Sequence, residues 1–217
     1  MFIIVFLTCL IHMFQAQIVV DLPLLRPYST AASTGPARDM SSLHTFCTAV
    51  NCLNNNLFKQ GLQPGSASWD FTVDQSGNYI NDACTQQWYG IGCDSSNRVI
   101  SIDLSLASLA GTISPALSNI DYLRRLDLSD NSLSGPVPES LGSMTTLQKL
   151  DFSTNPGIAG ELELCQLSLQ TAPKLTIDVR FTAVTCYKSC WTVPPTKIDT
   201  ILFVDTRYVC SACLLKP

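Results

Sequence analysis

The stretch that decides the fold reads VISIDLSLASLAGTIS (residues 99–114), LRRLDLSDNSLSGPVP (123–138) and LQKLDFSTNPGIAGELE (147–163) in three aligned copies. Successive copies begin 24 residues apart, and the third copy has one extra residue after Asn155. Apolar residues and a glycine recur at the same six positions of each copy. Such a period indicates coils that stack on one another and share one continuous core.

The spacing of these copies is L-x-x-L-x-L-x-x-N-x-L, which is the period of a leucine-rich repeat. Alternation in Ile102-Asp103-Leu104 and its equivalents predicts a short strand with its apolar side turned inward. Asn131 and Asn155 occupy the position where a buried amide satisfies backbone groups, and Ala107 replaces them in the first copy. The sequence therefore predicts an α/β fold over residues 98–184: a short right-handed solenoid with parallel strands on its concave face.

A fourth, degenerate coil is predicted from the sequence TAPKLTIDVRFTAVT at residues 171–185. Ile177, Asp178 and Val179 fit the strand, whereas Thr182 stands where the asparagine belongs and the bend glycine is missing. A degenerate last coil is expected of a terminal repeat. The solenoid should thus have three to four coils.

Composition limits the classes of protein to which the chain can belong. Its 217 residues, 46% hydrophobic and 14% charged, suit one domain or a short capped solenoid. The net charge is −4 and the 13 basic residues are scattered, so we expect no nucleic-acid partner. Ten cysteines are many for a cytosolic protein of this size and predict disulfides in an oxidising compartment.

Residues 1–16 are predicted to be a signal peptide. The apolar run from Phe2 to Ile11 contains no acidic residue and is shorter than the roughly 20 residues of a membrane span. An uncleaved anchor reaching Val20 is the alternative, because the start has no Lys or Arg and Phe14 lies where a small residue is favoured. Both versions predict a secreted or cell-surface location.

Residues 17–40 are rich in proline and small polar residues and are predicted to be a linker. A helix should follow, begun by Ser41 or Ser42 and ended by Gly61. Its apolar face would consist of residues at three- and four-residue spacing: Leu43, Phe46, Cys47, Val50, Leu53 and Leu57.

Two of the ten cysteines, Cys47 and Cys52, would lie on that helix five residues apart. On one helix they would point in different directions, so each is expected to find a partner elsewhere.

The motif Cys84-x3-Trp88-x-Gly90-x2-Cys93 lies just before the first repeat. Together with the helix and Ser68-Trp69, it is similar to the N-terminal cap of plant-type extracellular leucine-rich-repeat proteins. The resemblance covers about residues 41–163 and implies an N-terminal cap at 41–97. It also implies a disulfide between Cys84 and Cys93. Such a cap would cover the apolar edge that the first coil would otherwise expose.

Residues 185–217 are predicted to form a cysteine-rich C-terminal cap, for which no family resemblance is found. The spacing C-x3-C followed by C-x2-C also fits a four-cysteine zinc site, although the secretory start favours oxidised pairs. Nine cysteines remain once Cys9 leaves with the signal peptide, so at least one is unpaired or pairs between chains. The pairing is left open for these cysteines: Cys165, Cys186, Cys190, Cys210 and Cys213.

The sequence points to no catalytic chemistry and no cofactor. His44 is the one histidine outside the signal peptide, and no nucleotide-binding motif is present. At its position on the helix, His44 is expected to be a surface or half-packed residue rather than a ligand.

The outward residues of the strands are the candidate partner-binding residues. Three aspartates should stack as an acidic rung, partly neutralised by a lysine and an arginine beside them. This rung is either a docking strip for a partly basic partner or a solvated part of the repeat consensus. The candidate residues are Asp103, Arg125, Asp127, Lys149 and Asp151.

The predicted function is therefore non-enzymatic recognition of a protein or peptide by a secreted or cell-surface protein. Two alternatives are an inhibitor of a secreted polysaccharide-degrading enzyme and a structural surface-coat protein.

Overall fold

The computed structural model describes residues 36–54, 67–162, 175–187 and 198–202, all within one compact unit, Ser33–Pro217. The predicted signal peptide, most of the predicted linker and most of the cysteine-rich tail lie outside the described residues. The same holds for four cysteines: Cys165, Cys190, Cys210 and Cys213.

The described chain consists of one helix, three short 3₁₀ turns and ten strands. Helix α1 runs Pro36–Ala49, and the 3₁₀ turns are Cys52–Asn54, Pro115–Asn119 and Glu139–Ser143. The strands are β1 (Ile91–Cys93), β2 (Val99–Asp103), β3 (Ala110–Thr112), β4 (Arg125–Asp127), β5 (Ser132–Gly135), β6 (Lys149–Asp151), β7 (Gly157–Leu162), β8 (Leu175–Asp178), β9 (Ala183–Tyr187) and β10 (Ile198–Leu202).

Each of the four coils contributes one strand to each of two sheets. The larger sheet has the order β1-β2-β4-β6-β8-β10, and the smaller has the order β3-β5-β7-β9. All pairings are parallel except that of β1 with β2. Equivalent residues pair from coil to coil, as in the row Ile102, Leu126, Leu150 and Ile177. This confirms the predicted α/β leucine-rich-repeat solenoid with a fourth coil, although β9 extends to Tyr187, beyond the predicted boundary at 184.

The core lies between the two sheets and is made by the repeated apolar positions. The side chains of Leu104, Leu128 and Phe152 are fully buried, and their neighbours in each coil are buried as well. Each such leucine or phenylalanine contributes about 2 kcal/mol by leaving water. Because the same positions recur in every coil, these contributions accumulate along one continuous core.

The side chains of Asn131 and Asn155, which occupy the same position of successive coils, satisfy buried backbone groups as predicted. They also join adjacent coils. Asn131 donates from Nδ2 to the carbonyl oxygens of Leu104 (2.8 Å) and Leu128 (3.0 Å). Its Oδ1 accepts from the N–H of Leu109 at 2.9 Å. Asn155 makes the equivalent bonds one coil later. Each asparagine thus satisfies backbone groups of its own coil and of the coil before it.

Thr182 takes the asparagine position in the fourth coil and bonds only within that coil. Its Oγ1 donates to the carbonyl oxygen of Val179 at 2.7 Å and accepts from the N–H of Val184 at 3.2 Å. An asparagine at position 182 would accept a hydrogen bond from the N–H of Ile158 in the third coil. With threonine there, this N–H donates to the backbone carbonyl oxygen of Asn155 at 3.0 Å.

Helix α1 and an aromatic cluster cover the N-terminal end of the solenoid. The indoles of Trp69 and Trp88 stack with ring centroids 5.6 Å apart, and Phe71 lies edge-on to Trp88. His44 stacks on Phe71 and its Nδ1 lies 3.0 Å from the hydroxyl oxygen of Tyr79. His44 is therefore half-packed within the cap, as predicted.

The bounds of α1 differ from the prediction at both ends. The helix begins at Pro36, inside the predicted linker, and it ends at Ala49, well before Gly61. Leu53, predicted to lie on the buried face, is 42% exposed. The chain leaves the helix because Asn51 adopts a left-handed φ of +55°, which asparagine tolerates better than most residues.

This turn also overturns the expectation that Cys47 and Cys52 cannot pair with each other. They form a disulfide, with Cα atoms 5.0 Å apart. The expectation assumed that both cysteines lie on one helix, whereas the turn at Asn51 folds Cys52 back toward Cys47.

The end of α1 also lies very close to the first coil. Gly111 has a φ of +115°, and a Cβ at this position would clash with the carbonyl oxygen of Ala49. Glycine is therefore required here both for its backbone conformation and for this contact.

A second disulfide joins Cys84 to Cys93, with Cα atoms 5.7 Å apart, and ties β1 to the preceding loop. Disulfides of this kind persist in oxidising compartments and are rare in the cytosol. They agree with a secreted or cell-surface location. None of the helices within the described ranges is long and apolar enough to cross a membrane.

Candidate interaction surface on the concave face

The outward side of the larger sheet, here called the concave face, presents four columns of equivalent residues. The strand register gives the first two columns, and the other two lie in the turns after the strands, where backbone hydrogen bonds from coil to coil continue that register. Neighbouring strands are about 4.8 Å apart, so four coils span about 14 Å between the first and last strand. The columns are Ser101-Arg125-Lys149-Thr176, Asp103-Asp127-Asp151-Asp178, Ser105-Ser129-Ser153-Arg180 and Leu106-Asp130-Thr154-Phe181.

The aspartate column is the predicted acidic rung, and its carboxylates have a structural task. Oδ1 of Asp127 accepts from both the N–H and the hydroxyl of Ser129, at 3.2 and 2.7 Å. Asp103 with Ser105 and Asp151 with Ser153 make the same pair of bonds. The triplet Asp-apolar-Ser therefore closes the turn after each strand, and this task accounts for its recurrence without a ligand.

Lys149 lies between two aspartates and bonds to both. Its Nζ is 2.9 Å from Oδ2 of Asp127 and 3.1 Å from Oδ2 of Asp151. Burial acts to raise the pKa of Asp127, but hydrogen bonds from Ser129 and Lys149 outweigh it and hold that pKa below its usual value. Burial acts to lower the pKa of Lys149, and its two carboxylate partners outweigh it and raise that pKa. The lysine therefore offsets one of the two negative charges, and the three side chains together keep a net negative charge.

The fourth coil adds an ion pair that the predicted site lacks. Asp178 is buried and receives the guanidinium of Arg180, with Nη2 2.6 Å from Oδ2. The strand pattern of the fourth coil already aligns Asp178 with the aspartates, so this signal could have extended the rung by one residue.

Asp103 and Arg125 differ from the other predicted site residues. Both side chains are exposed, and neither forms an ion pair with another residue of the described ranges. Arg125 was expected to help neutralise the acidic rung, but it forms no ion pair with the aspartates. Of the two predicted cations, Lys149 is the one that bonds to the rung, at Asp127 and Asp151. Asp103 and Arg125 are the predicted site residues whose charge is available to a partner.

The column Leu106-Asp130-Thr154-Phe181 was not found by sequence reasoning. All four residues have left-handed backbones, with φ between +55° and +57°. Coil-to-coil hydrogen bonds hold the first three: their N–H groups donate to the carbonyl oxygens of Ser129, Ser153 and Arg180 respectively. The backbone therefore dictates the conformation of this column whatever the side chain.

Elsewhere, the described residues offer no site for a metal ion. Among them, no group of three or more histidine, cysteine or acidic side chains comes together. The zinc alternative concerned four cysteines of the tail, of which Cys190, Cys210 and Cys213 lie outside the described residues and Cys186 lies in β9. That alternative stays a prediction.

Comparison with known proteins supports the repeat. A model of the family described as Leucine Rich Repeat matches residues 122–144. The receptor protein kinase WSS1 of Oryza sativa subsp. japonica is 52% identical over 46 residues, which are 21% of this chain and 5% of that protein. The chain therefore spans only a small part of this relative.

Solved structures of plant proteins are also similar to this chain. One is the leucine-rich-repeat ectodomain of the receptor kinase GASSHO1/SCHENGEN3 from Arabidopsis thaliana, in complex with CASPARIAN STRIP INTEGRITY FACTOR 2. It is 27% identical with a TM-score of 0.48, over 62% of this chain and 16% of that one. Another is the BIR3–SERK2 complex from the same plant, 20% identical with a TM-score of 0.46, over 79% of this chain and 97% of that one.

The family match within the second coil agrees with the coil-to-coil register. The chain contains leucine-rich repeats and resembles plant-type extracellular leucine-rich-repeat proteins.

Proposed function

We propose that the chain is a non-enzymatic recognition module that binds a protein or peptide ligand through its concave face. The observation that supports this is the contrast within the face itself. Most of its charged side chains form ion pairs with one another, whereas Asp103, Arg125 and Asp130 are exposed and have no ion-pair partner among the described residues.

The size of the face favours a short ligand. Four coils give a strip about 14 Å wide from first to last strand. A strip of this width offers little area compared with the roughly 800 Å² that each partner buries in a standard protein–protein interface. A peptide segment of a few residues fits such a strip better than a large folded partner. The comparisons favour neither the enzyme-inhibitor nor the surface-coat alternative.

The test is a selection of ligands from a random displayed-peptide library, followed by affinity measurements on variants. Arg125→Glu and Asp103→Lys reverse the two unpaired charges of the predicted site. Ser132→Glu, on the outward side of the smaller sheet, is the matched control because that residue is also exposed. The selected peptides should lose affinity for the first two variants by roughly tenfold, the effect of losing one charged contact worth about 1.4 kcal/mol, and keep it for the control.

Peptides that bind Arg125→Glu and Asp103→Lys as tightly as the parent protein, but not Ser132→Glu, would place the ligand on the other sheet. That outcome would overturn the proposal.

A further inference from the structure

Two large apolar side chains stand exposed at the two ends of one column of the concave face. Leu106, in the first coil, is 73% exposed, and Phe181, in the fourth, is 61% exposed. They are the two most exposed large hydrophobic residues among those the structure describes. Between them, in the same column, lie Asp130 and Thr154, both exposed.

The stability of the fold does not explain why leucine and phenylalanine occupy positions 106 and 181. Both residues have a left-handed backbone, at φ +55° and +57°, a conformation that favours glycine, asparagine and aspartate. A leucine or phenylalanine here is disfavoured by its backbone and also exposes apolar surface to water. The left-handed conformation belongs to the whole column, but the choice of leucine and phenylalanine for it, where asparagine would fit the backbone better, points to a role in binding.

The distance between the two side chains matches an extended peptide. Leu106 and Phe181 are three strand spacings apart, about 14 Å. Residues four apart in an extended chain are about 13 Å apart and point to the same side, because successive side chains alternate. A peptide crossing the four coils would thus place two apolar side chains over Leu106 and Phe181 in register.

The residue midway between those two apolar side chains would also face the protein, beside Asp130 and Thr154. Asp130 is exposed and forms no ion pair with another described residue, so its carboxylate is available to a cation. An acidic residue at this position would be repelled. Charge complementarity therefore calls for lysine or arginine in the middle of the ligand.

We propose that the concave face binds an extended peptide segment of the pattern apolar-x-basic-x-apolar, with its apolar side chains on Leu106 and Phe181 and its basic side chain at Asp130. This inference rests on the proposed function, because it specifies the ligand of the same face.

The test uses synthetic fluorescent peptides of fixed length with leucine, lysine and leucine at alternate positions and serine elsewhere. In one comparison peptide the second leucine is moved by one position, so that it points away from the protein. In another, glutamate replaces the lysine. Binding is measured by fluorescence anisotropy on the parent protein and on Leu106→Asn and Phe181→Asn.

Both variants place asparagine where the left-handed backbone favours it, so they should fold at least as well as the parent, which a thermal melt checks. The matched control is Ile80→Asn, which also removes an exposed apolar side chain (60% exposed) but lies in the N-terminal cap. The matched peptide should bind about tenfold more tightly than either comparison peptide. Its affinity should fall about tenfold in each concave-face variant and stay unchanged in Ile80→Asn.

Equal affinity for the matched and shifted peptides, no binding of either, or an equal loss in Ile80→Asn would overturn this inference. The proposed function would still stand if library-selected peptides remained sensitive to Arg125→Glu and Asp103→Lys. If those peptides were insensitive as well, both proposals would fall together.

Discussion

One repeated position separates the second and third coils of the solenoid from the two outer coils. Asn131 and Asn155 occupy it in the second and third coils, Ala107 in the first and Thr182 in the fourth. Each asparagine bonds to its own coil and to the preceding one, whereas Thr182 bonds only to its own. The difference teaches that the amide serves the preceding coil. The first coil, preceded by the cap rather than by a repeat, has no use for it.

The largest effect is expected from Asn155→Ala. The change leaves the N–H of Leu133 and the carbonyl oxygen of Phe152 without their amide partner in a fully buried place, and the carbonyl oxygen of Leu128 keeps only its bond from Asn131. We expect the free energy of unfolding to fall by about 3 kcal/mol, because each buried group left unsatisfied costs about 1–3 kcal/mol and some relaxation follows. Urea denaturation measures this loss.

Ser132→Ala, an exposed change in the neighbouring coil, is the control and should alter stability by less than about 0.5 kcal/mol. A loss below about 1 kcal/mol in Asn155→Ala would show that the amide does not join the coils as the contacts indicate.

An intermediate effect is expected at the N-terminal end, where Asp39 of α1 bonds to the first strand of the repeats. This buried carboxylate accepts from the N–H of Val99 in the first strand at 3.3 Å. Burial raises the pKa of Asp39 to about 6, although the bond from Val99 opposes the shift.

The folded protein therefore binds the proton of Asp39 more tightly than the unfolded chain does. The contribution of this carboxyl to the free energy of unfolding should thus be greatest below about pH 4 and should fall as the pH rises through 6. The expected loss is about 2 kcal/mol, since some solvent access reduces the full effect of the shift. Denaturation midpoints measured from pH 4 to pH 7 should show this slope in the parent and not in Asp39→Asn, whose amide oxygen can still accept from Val99. The same slope in both proteins would assign it to another group.

The smallest effect is expected from Thr182→Val at the C-terminal end. Valine keeps the shape of threonine and removes only the two bonds within the fourth coil. We expect a loss of about 1 kcal/mol in the same urea experiment. A cost as large as that of Asn155→Ala would mean that Thr182 also supports the third coil, and the contrast between the inner and outer coils would disappear.

The repeats and their asparagines could be predicted because they are periodic, and periodicity is a property of the sequence. The end of α1 could not, because it depends on Asn51, a single residue whose left-handed turn interrupts an apolar pattern that continues to Leu57. The disulfide between Cys47 and Cys52 follows from that turn and was missed with it.

The candidate site was predicted in part, for a related reason. Strand alternation identifies which residues face outward, such as Asp103 and Arg125, but not which charges neutralise one another. Lys149 bridges two aspartates because its side chain crosses between strands, and no single coil contains that information. The column from Leu106 to Phe181 owes its conformation to hydrogen bonds between coils, so only the assembled solenoid displays it.

The dependence of the first and second coils on the asparagine of the coil that follows each of them bears on how such a protein can grow. A duplication of residues 123–146 would insert a second copy of a complete unit, with its own asparagine directed at the coil before it. One junction of the new copy would repeat the existing contact with the third coil, the other would set two identical coils against each other, and neither cap would have to change. The chain could lengthen in steps of 24 residues, each adding about 4.8 Å of recognition surface, by gene duplication alone.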